Sequence, residues 1–165
     1  MKVSKLLPLL AIAAMLNFTS CSTESIPEDN ANSINLQDAP PAKLIEIQIL
    51  ELLNNHRISV GLNPLQNHDI IKSVAFTHTD YMIEVDNVSH DNFFQRKNSL
   101  ETHANATRVS ENVAYAFSSA QSVVNAWINS EGHRANIEGD FTDFDISAEQ
   151  DEDGDWYYTN IFIKR

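Results

Sequence analysis

Apolar residues crowd the stretch from Leu44 to Leu53, occupying positions 44, 45, 47, 49, 50, 52 and 53. That density predicts a largely buried helix, closed at Gly61 with Pro64 beyond it. A second helix is expected from near Asn67 to Val85, its apolar positions being Ile70, Val74, Ala75, Phe76, Met82 and Val85. His78 falls four residues from both Val74 and Met82, on or beside the buried face, where a hydrogen-bonded core histidine is commoner than a ligand. Asn87 to Phe94 reads as irregular and Asn98 to Ser110 as a polar loop, after which Glu111 opens a short apolar run to Ala116. Ser118-Ser119-Ala120-Gln121 has the spacing of a capping box, and the helix it starts presents Val123, Val124, Trp127 and Ile128 to the interior. Ser130 is expected to cap a further turn carrying Glu131, Gly132, His133 and Arg134. From Phe141 the period changes, and Asp151 to Asp155, with its Asp-Gly pair, reads as the turn of a β-hairpin. A calcium loop is disfavoured there, because Phe162 stands where an EF-hand wants glutamate.

The N-terminus follows another pattern. Lys2 and Lys5 precede an apolar run from Leu6 to Leu16, too short to span a bilayer, and Thr19-Ser20-Cys21 follows. These features predict a lipoprotein signal peptide over residues 1–20, with Cys21 becoming the acylated N-terminus. The protein is then expected to be extracytoplasmic and membrane-anchored through Cys21, in the periplasm or at the cell surface. Residues 21–42 carry Pro27, Pro40, Pro41 and many small or acidic residues, and read as a tether; residues 43–165 make one domain.

Cys21 is the sole cysteine, so an internal disulfide and a catalytic thiol are both excluded from the domain. Removing Lys2 and Lys5 with the leader leaves 9 of the 11 basic residues against 23 acidic ones, a net charge of −14. Such a surface repels phosphates, so nucleic acid is not expected as a partner.

Five segments, in order, resemble the CAP superfamily, the group of cysteine-rich secretory proteins, antigen 5 and pathogenesis-related protein 1, whose domain is also called SCP. They are Leu53-Asn54-Asn55-His56-Arg57 with Gly61 to Leu65, Ala75 to Met82, Ser89-His90, Glu111-Asn112-Val113-Ala114, and above all Ala126 to Ile137. The resemblance implies an α+β fold, an α/β/α sandwich with a small antiparallel sheet between helices. It also implies a cleft where His90 and His133 meet the acids Glu111 and, less directly, Glu131. Ser110 replaces the glycine usual before Glu111, which would constrain a backbone needing positive φ.

Two imidazoles, His90 and His133, with one or two carboxylates suit a divalent metal, zinc first, and a metal-bound water with Glu111 or Glu131 as general base would suit hydrolysis. No HExxH helix or Gly-x-Ser-x-Gly elbow accompanies them. The favoured expectation is therefore a binding module for a small-molecule, lipid, glycan or protein ligand. A metal-dependent, peptidase-like hydrolase using His90, Glu111, Glu131 and His133 is the alternative, and a purely structural polar cluster is also open. Trp127 is expected in the core, and Arg134 either pairs with an acid or caps a carbonyl. Asn105-Ala106-Thr107 has the form of a glycosylation sequon, which a bacterial lipoprotein would not use.

Overall fold

The computed structural model describes residues 34–165. The leader, Cys21 and the first part of the tether lie outside the described residues. Helix α1 spans Leu44–Ser59, strand β1 Gln66–Asn67, helix α2 Asp69–Glu84, helix α3 Phe93–Ala104 and strand β2 Arg108–Tyr115. Helices α4 (Ala120–Asn129) and α5 (Glu131–Ile137) follow, then strands β3 (Asp143–Gln150) and β4 (Trp156–Lys164).

The strands form one sheet in the order β1-β3-β4-β2. β4 pairs antiparallel with both β3 and β2, whereas the two-residue β1 runs parallel to β3. Alternation along β4 divides the core: Tyr158 and Phe162 join α1 and α4 residues such as Ile49, Leu53, Val123 and Trp127. Ile161 and Ile163 point the other way, into a second cluster with Ile71, Val74 and Ala75 of α2 and Leu100 and Ala104 of α3. Helices thus cover both faces, giving the expected α/β/α sandwich. Among the described residues no helix is long and apolar enough to cross a membrane.

Several expectations are corrected. α1 ends as predicted, with Gly61 at φ +82, but it is only half buried: Ile49, Leu50 and Leu53 face inward while Leu44 and Ile47 face solvent. The apolar run is wider than the stripe that packs. α2 begins after β1, capped by His68, whose Nδ1 accepts from the Ile70 N–H at 3.2 Å. The polar loop expected from Asn98 to Ser110 is instead the end of α3, a bend and the start of β2. The inward face of α3, Arg96, Ser99, Leu100 and Ala104, is half polar, and its N-cap Asn92 is left-handed without a side-chain cap, so neither periodicity nor capping announces it. The cap of α4 is Ser119, which accepts from the Ser122 N–H, and Gln121 instead donates to Asn125. Ser130 does precede α5, but its hydroxyl goes to the His133 ring rather than to the helix backbone. Ser110 lies within β2 outside the positive-φ residues, so replacing glycine there imposes no strain.

The hairpin turn forms where expected. The Asp151 carboxylate accepts from the Asp153 and Asp155 N–H groups, and Gly154 takes φ +88. Residues 34–42 carry no helix or strand, yet Ile34 and Leu36 pack against the second cluster and Gln37 bonds to Thr77 and Asp80.

Where β1 ends, the open edge of β3 is closed by side chains. Glu46 of α1 accepts from the Ala148 N–H at 2.8 Å, and Lys72 of α2 donates to the Ile146 carbonyl at 2.8 Å. The two charges pair at 2.5 Å. A sheet edge that would otherwise bury unsatisfied backbone is thereby completed by an ion pair.

Candidate functional site

The site lies at the opposite edge of the sheet, where β2 meets α3 and α5. His90 is presented by a tight turn: the Asp91 N–H donates to Ser89 Oγ, the Phe93 N–H to the His90 carbonyl, and Asn92 takes φ +60 before α3 begins. One turn into α3, Arg96 is buried and donates from Nη1 to the Asp91 carbonyl at 2.6 Å, locking that turn to the helix.

Arg96 also grips Glu111 of β2 with two parallel hydrogen bonds, Nε to Oε2 and Nη2 to Oε1, each 2.7 Å. This is the fork geometry in which a guanidinium binds carboxylate most strongly. Burial alone would raise the Glu111 carboxyl; the His90 hydrogen bond and the charge and hydrogen bonds of Arg96 outweigh it, so its pKa lies below the ordinary value. Glu111 is therefore an acceptor, and His90 Nδ1 donates to its Oε1 at 2.8 Å. That fixes the orientation of the His90 ring and leaves its Nε2 without a protein partner among the described residues, on a side chain that is 54% exposed.

Behind Arg96, His78 of α2 donates from Nε2 to the Ser89 carbonyl and accepts at Nδ1 from Arg96 Nη1 at 2.9 Å. Burial, which outweighs the attraction of Glu111, lowers its pKa and keeps it neutral, as the accepting nitrogen requires. The expectation of a hydrogen-bonded core histidine holds.

His133 reaches the cluster from α5. Asn136 Nδ2 donates to the Glu111 carbonyl and to Asn112 Oδ1, and Asn112 Nδ2 donates to the His133 carbonyl, stitching α5 to β2. His133 Nδ1 lies 2.9 Å from Ser130 Oγ, and burial, then the nearby His90, lowers its pKa. Neither His90 nor His133 has a hydrogen-bond partner at Nε2 among the described residues. Glu131 opens α5 exposed, without hydrogen bond or ion pair to the other three. Trp127 is buried and donates to the Val113 carbonyl, and Arg134 caps the Ile128 carbonyl, the second of its two expected roles.

Arg96 is the member that sequence reasoning missed. Its signal was faint: it shares a helical face with Leu100 and Ala104, and a buried Glu111 calls for a cation. Among the described residues no group of three or more His, Cys, Asp or Glu side chains is arranged to hold a metal ion. With both Glu111 oxygens engaged, two imidazole nitrogens are what the cleft offers.

Comparison with known proteins agrees with this architecture. The family described as cysteine-rich secretory proteins, CAP, matches residues 50–162. The membrane protein YlbC of Bacillus subtilis, itself described as uncharacterized, is 36% identical over 124 residues, covering 73% of this chain and 34% of that protein. The crystal structure of an extracellular protein containing an SCP domain from Bacillus anthracis superposes with a TM-score of 0.64 at 25% identity, over 77% of this chain and 45% of that one. An outer surface protein of Borrelia burgdorferi shares the fold at 22% identity and a TM-score of 0.64, over 71% of this chain and 90% of its own. The chain thus spans about a third of YlbC and under half of the Bacillus anthracis protein.

Proposed function

This chain belongs to the CAP family of cysteine-rich secretory proteins, and from that premise we propose that it is an extracytoplasmic, lipid-anchored binding module whose His90/His133 cleft receives its ligand. The observation that carries this reading is the bidentate Arg96–Glu111 pair. A general base needs a free oxygen and a pKa near the working pH. Glu111 has its oxygens committed to Arg96 and His90 and its pKa depressed, which favours positioning over proton abstraction.

The donor set bears on the metal in the same way. Catalytic zinc sites supply three protein ligands. Here only His90 and His133 would be available to hold a divalent ion such as zinc, which if bound would supply Lewis acidity to the cleft. Export and anchoring rest on Lys2, Lys5, the short apolar run and Cys21, and are supported by relatives described as membrane and extracellular proteins.

Elemental analysis and zinc calorimetry on the purified protein and on a His90→Ala/His133→Ala variant test the cleft. One ion per chain, lost in the variant, is expected; affinity retained in the variant would remove the histidines from the reading. Peptide turnover that disappears in Glu111→Gln would replace the binding module with the hydrolase. Acylation is tested separately, by palmitate labelling that Cys21→Ser abolishes.

A further inference from the structure

The largest cavity described lies at the other edge of the sheet, beside β3, and none of His90, Glu111 or His133 lines it. Its volume is ≈ 620 Å³, within the roughly 300–1,000 Å³ typical of small-molecule sites. One wall is apolar, built from Pro40 and Pro41 of the segment before α1 and from Ile47 and Leu50 of α1. The floor is polar and is formed by Lys72 of α2 and Asp145 of β3.

The buried charges around Lys72 do not balance. Glu46, Asp145 and Lys72 are all buried, Asp145 being only 7% exposed. Lys72 is spent on Glu46 at 2.5 Å and on the Ile146 carbonyl. Asp145 accepts from the Ile146 and His68 N–H groups and from Asn67, all neutral donors, and has no ion pair among the described residues. Burial pushes its carboxyl above the ordinary value despite those hydrogen bonds and the nearby charge of Lys72, which Glu46 already engages. A buried charge without a counter-ion is costly, and this one borders an open cavity rather than packed core. Glu51 and Asp69, also on the lining, have no ion pair among the described residues and add to the negative field.

We propose that this cavity binds a small amphipathic cation, a primary ammonium on an apolar body, with Asp145 as its counter-ion. The ammonium sits against Asp145 and the apolar body against Pro40, Pro41, Ile47 and Leu50. An anionic ligand is disfavoured, because the cation on the floor, Lys72, is already taken. The site is separate from the histidine cleft and stands or falls independently of the function proposed for it.

The test uses 4-phenylbutylamine as probe and 4-phenylbutan-1-ol as its neutral counterpart, titrated into the purified protein at about 0.15 M salt to screen surface attraction. Calorimetry is read together with backbone amide shifts at Asn67 and Ser73. Saturable one-to-one binding of the amine is expected, about tenfold or more tighter than the alcohol and weakened by at least about that factor in Asp145→Asn. Should Asp145→Asn fold poorly, Ile47→Trp fills the apolar wall from a half-exposed position and is expected to weaken amine binding without touching the buried charges. Absence of saturable binding, equal affinity for amine and alcohol, unchanged affinity in the folded variants, or shifts confined to the His90 cleft would each overturn the proposal.

Discussion

Glu111 and Glu46 are both buried carboxylates paired with a buried cation, one at each edge of the same sheet, yet they serve different ends. Glu46 spends its oxygens on backbone, the Lys43 and Ala148 N–H groups, with Lys72 alongside, so its pair closes a strand edge and a helix start. Glu111 spends its oxygens on side chains alone: Arg96 on the inside and a half-exposed histidine on the outside. Backbone partners make a seam, while side-chain partners leave one end that can respond to solvent. The Glu46–Lys72 pair at β3 is therefore architecture, and the Glu111–Arg96 pair at β2 is a device for presenting His90.

The largest effect expected is at Arg96. Arg96→Met strands a buried Glu111 and is expected to cost about 3–5 kcal/mol in chemical denaturation. Lys72→Met leaves Glu46 its two backbone donors and is expected to cost less, about 2–3 kcal/mol. Equal losses in the two variants would show that the backbone donors at Glu46 confer no protection, and the distinction between seam and device would lose its energetic basis.

Acid separates them further. His78 has a folded pKa below its unfolded value of about 6.5, so its unfolded form binds more protons and stability falls as pH drops from that value. Glu111 also has a depressed pKa; its contribution is complete above its unfolded value of about 4.3 and is lost as pH falls through the folded value. Stability is expected to decline in two steps, first with His78 and His133, whose pKa values are both lowered, and then with Glu111. In Glu111→Gln the second step should shrink, so the gap to the parent protein narrows at low pH. A gap that stays constant down to the acid transition would mean Glu111 is not held ionised by Arg96.

Much of this was legible in the chain. The Ala126–Ile137 string, the hairpin and the two long helices follow from periodicity, turn chemistry and resemblance, and each was found near its expected place. Of the four cleft residues taken from the same string-by-string resemblance, His90 bonds Glu111, His133 is tied to them through Asn112 and Asn136, and Glu131 stays apart. What stayed hidden was α3 and with it Arg96. Local propensity could not reveal a helix whose inward face carries Arg96 and Ser99, because those residues are buried by a partner on β2 that lies far off in sequence. Asp145 escaped similarly: in sequence it is one acid among many, and only the fold puts it under a cavity beside a lysine already taken.

The smallest effect is expected at His90 itself. Its ring is half exposed and its one protein partner, Glu111, keeps both Arg96 hydrogen bonds when the ring is removed. His90→Ala should therefore cost about 1–2 kcal/mol of stability, the loss of one hydrogen bond to a buried carboxylate that keeps both of its Arg96 bonds. Ligand or ion capture at the cleft should nonetheless be lost, a separation that thermal melting and zinc calorimetry on one preparation can read. A large destabilisation would instead make His90 part of the fold, and the Arg96–Glu111 pair would then be a second seam, like Glu46 with Lys72, rather than the base on which an exposed imidazole is held out to solvent.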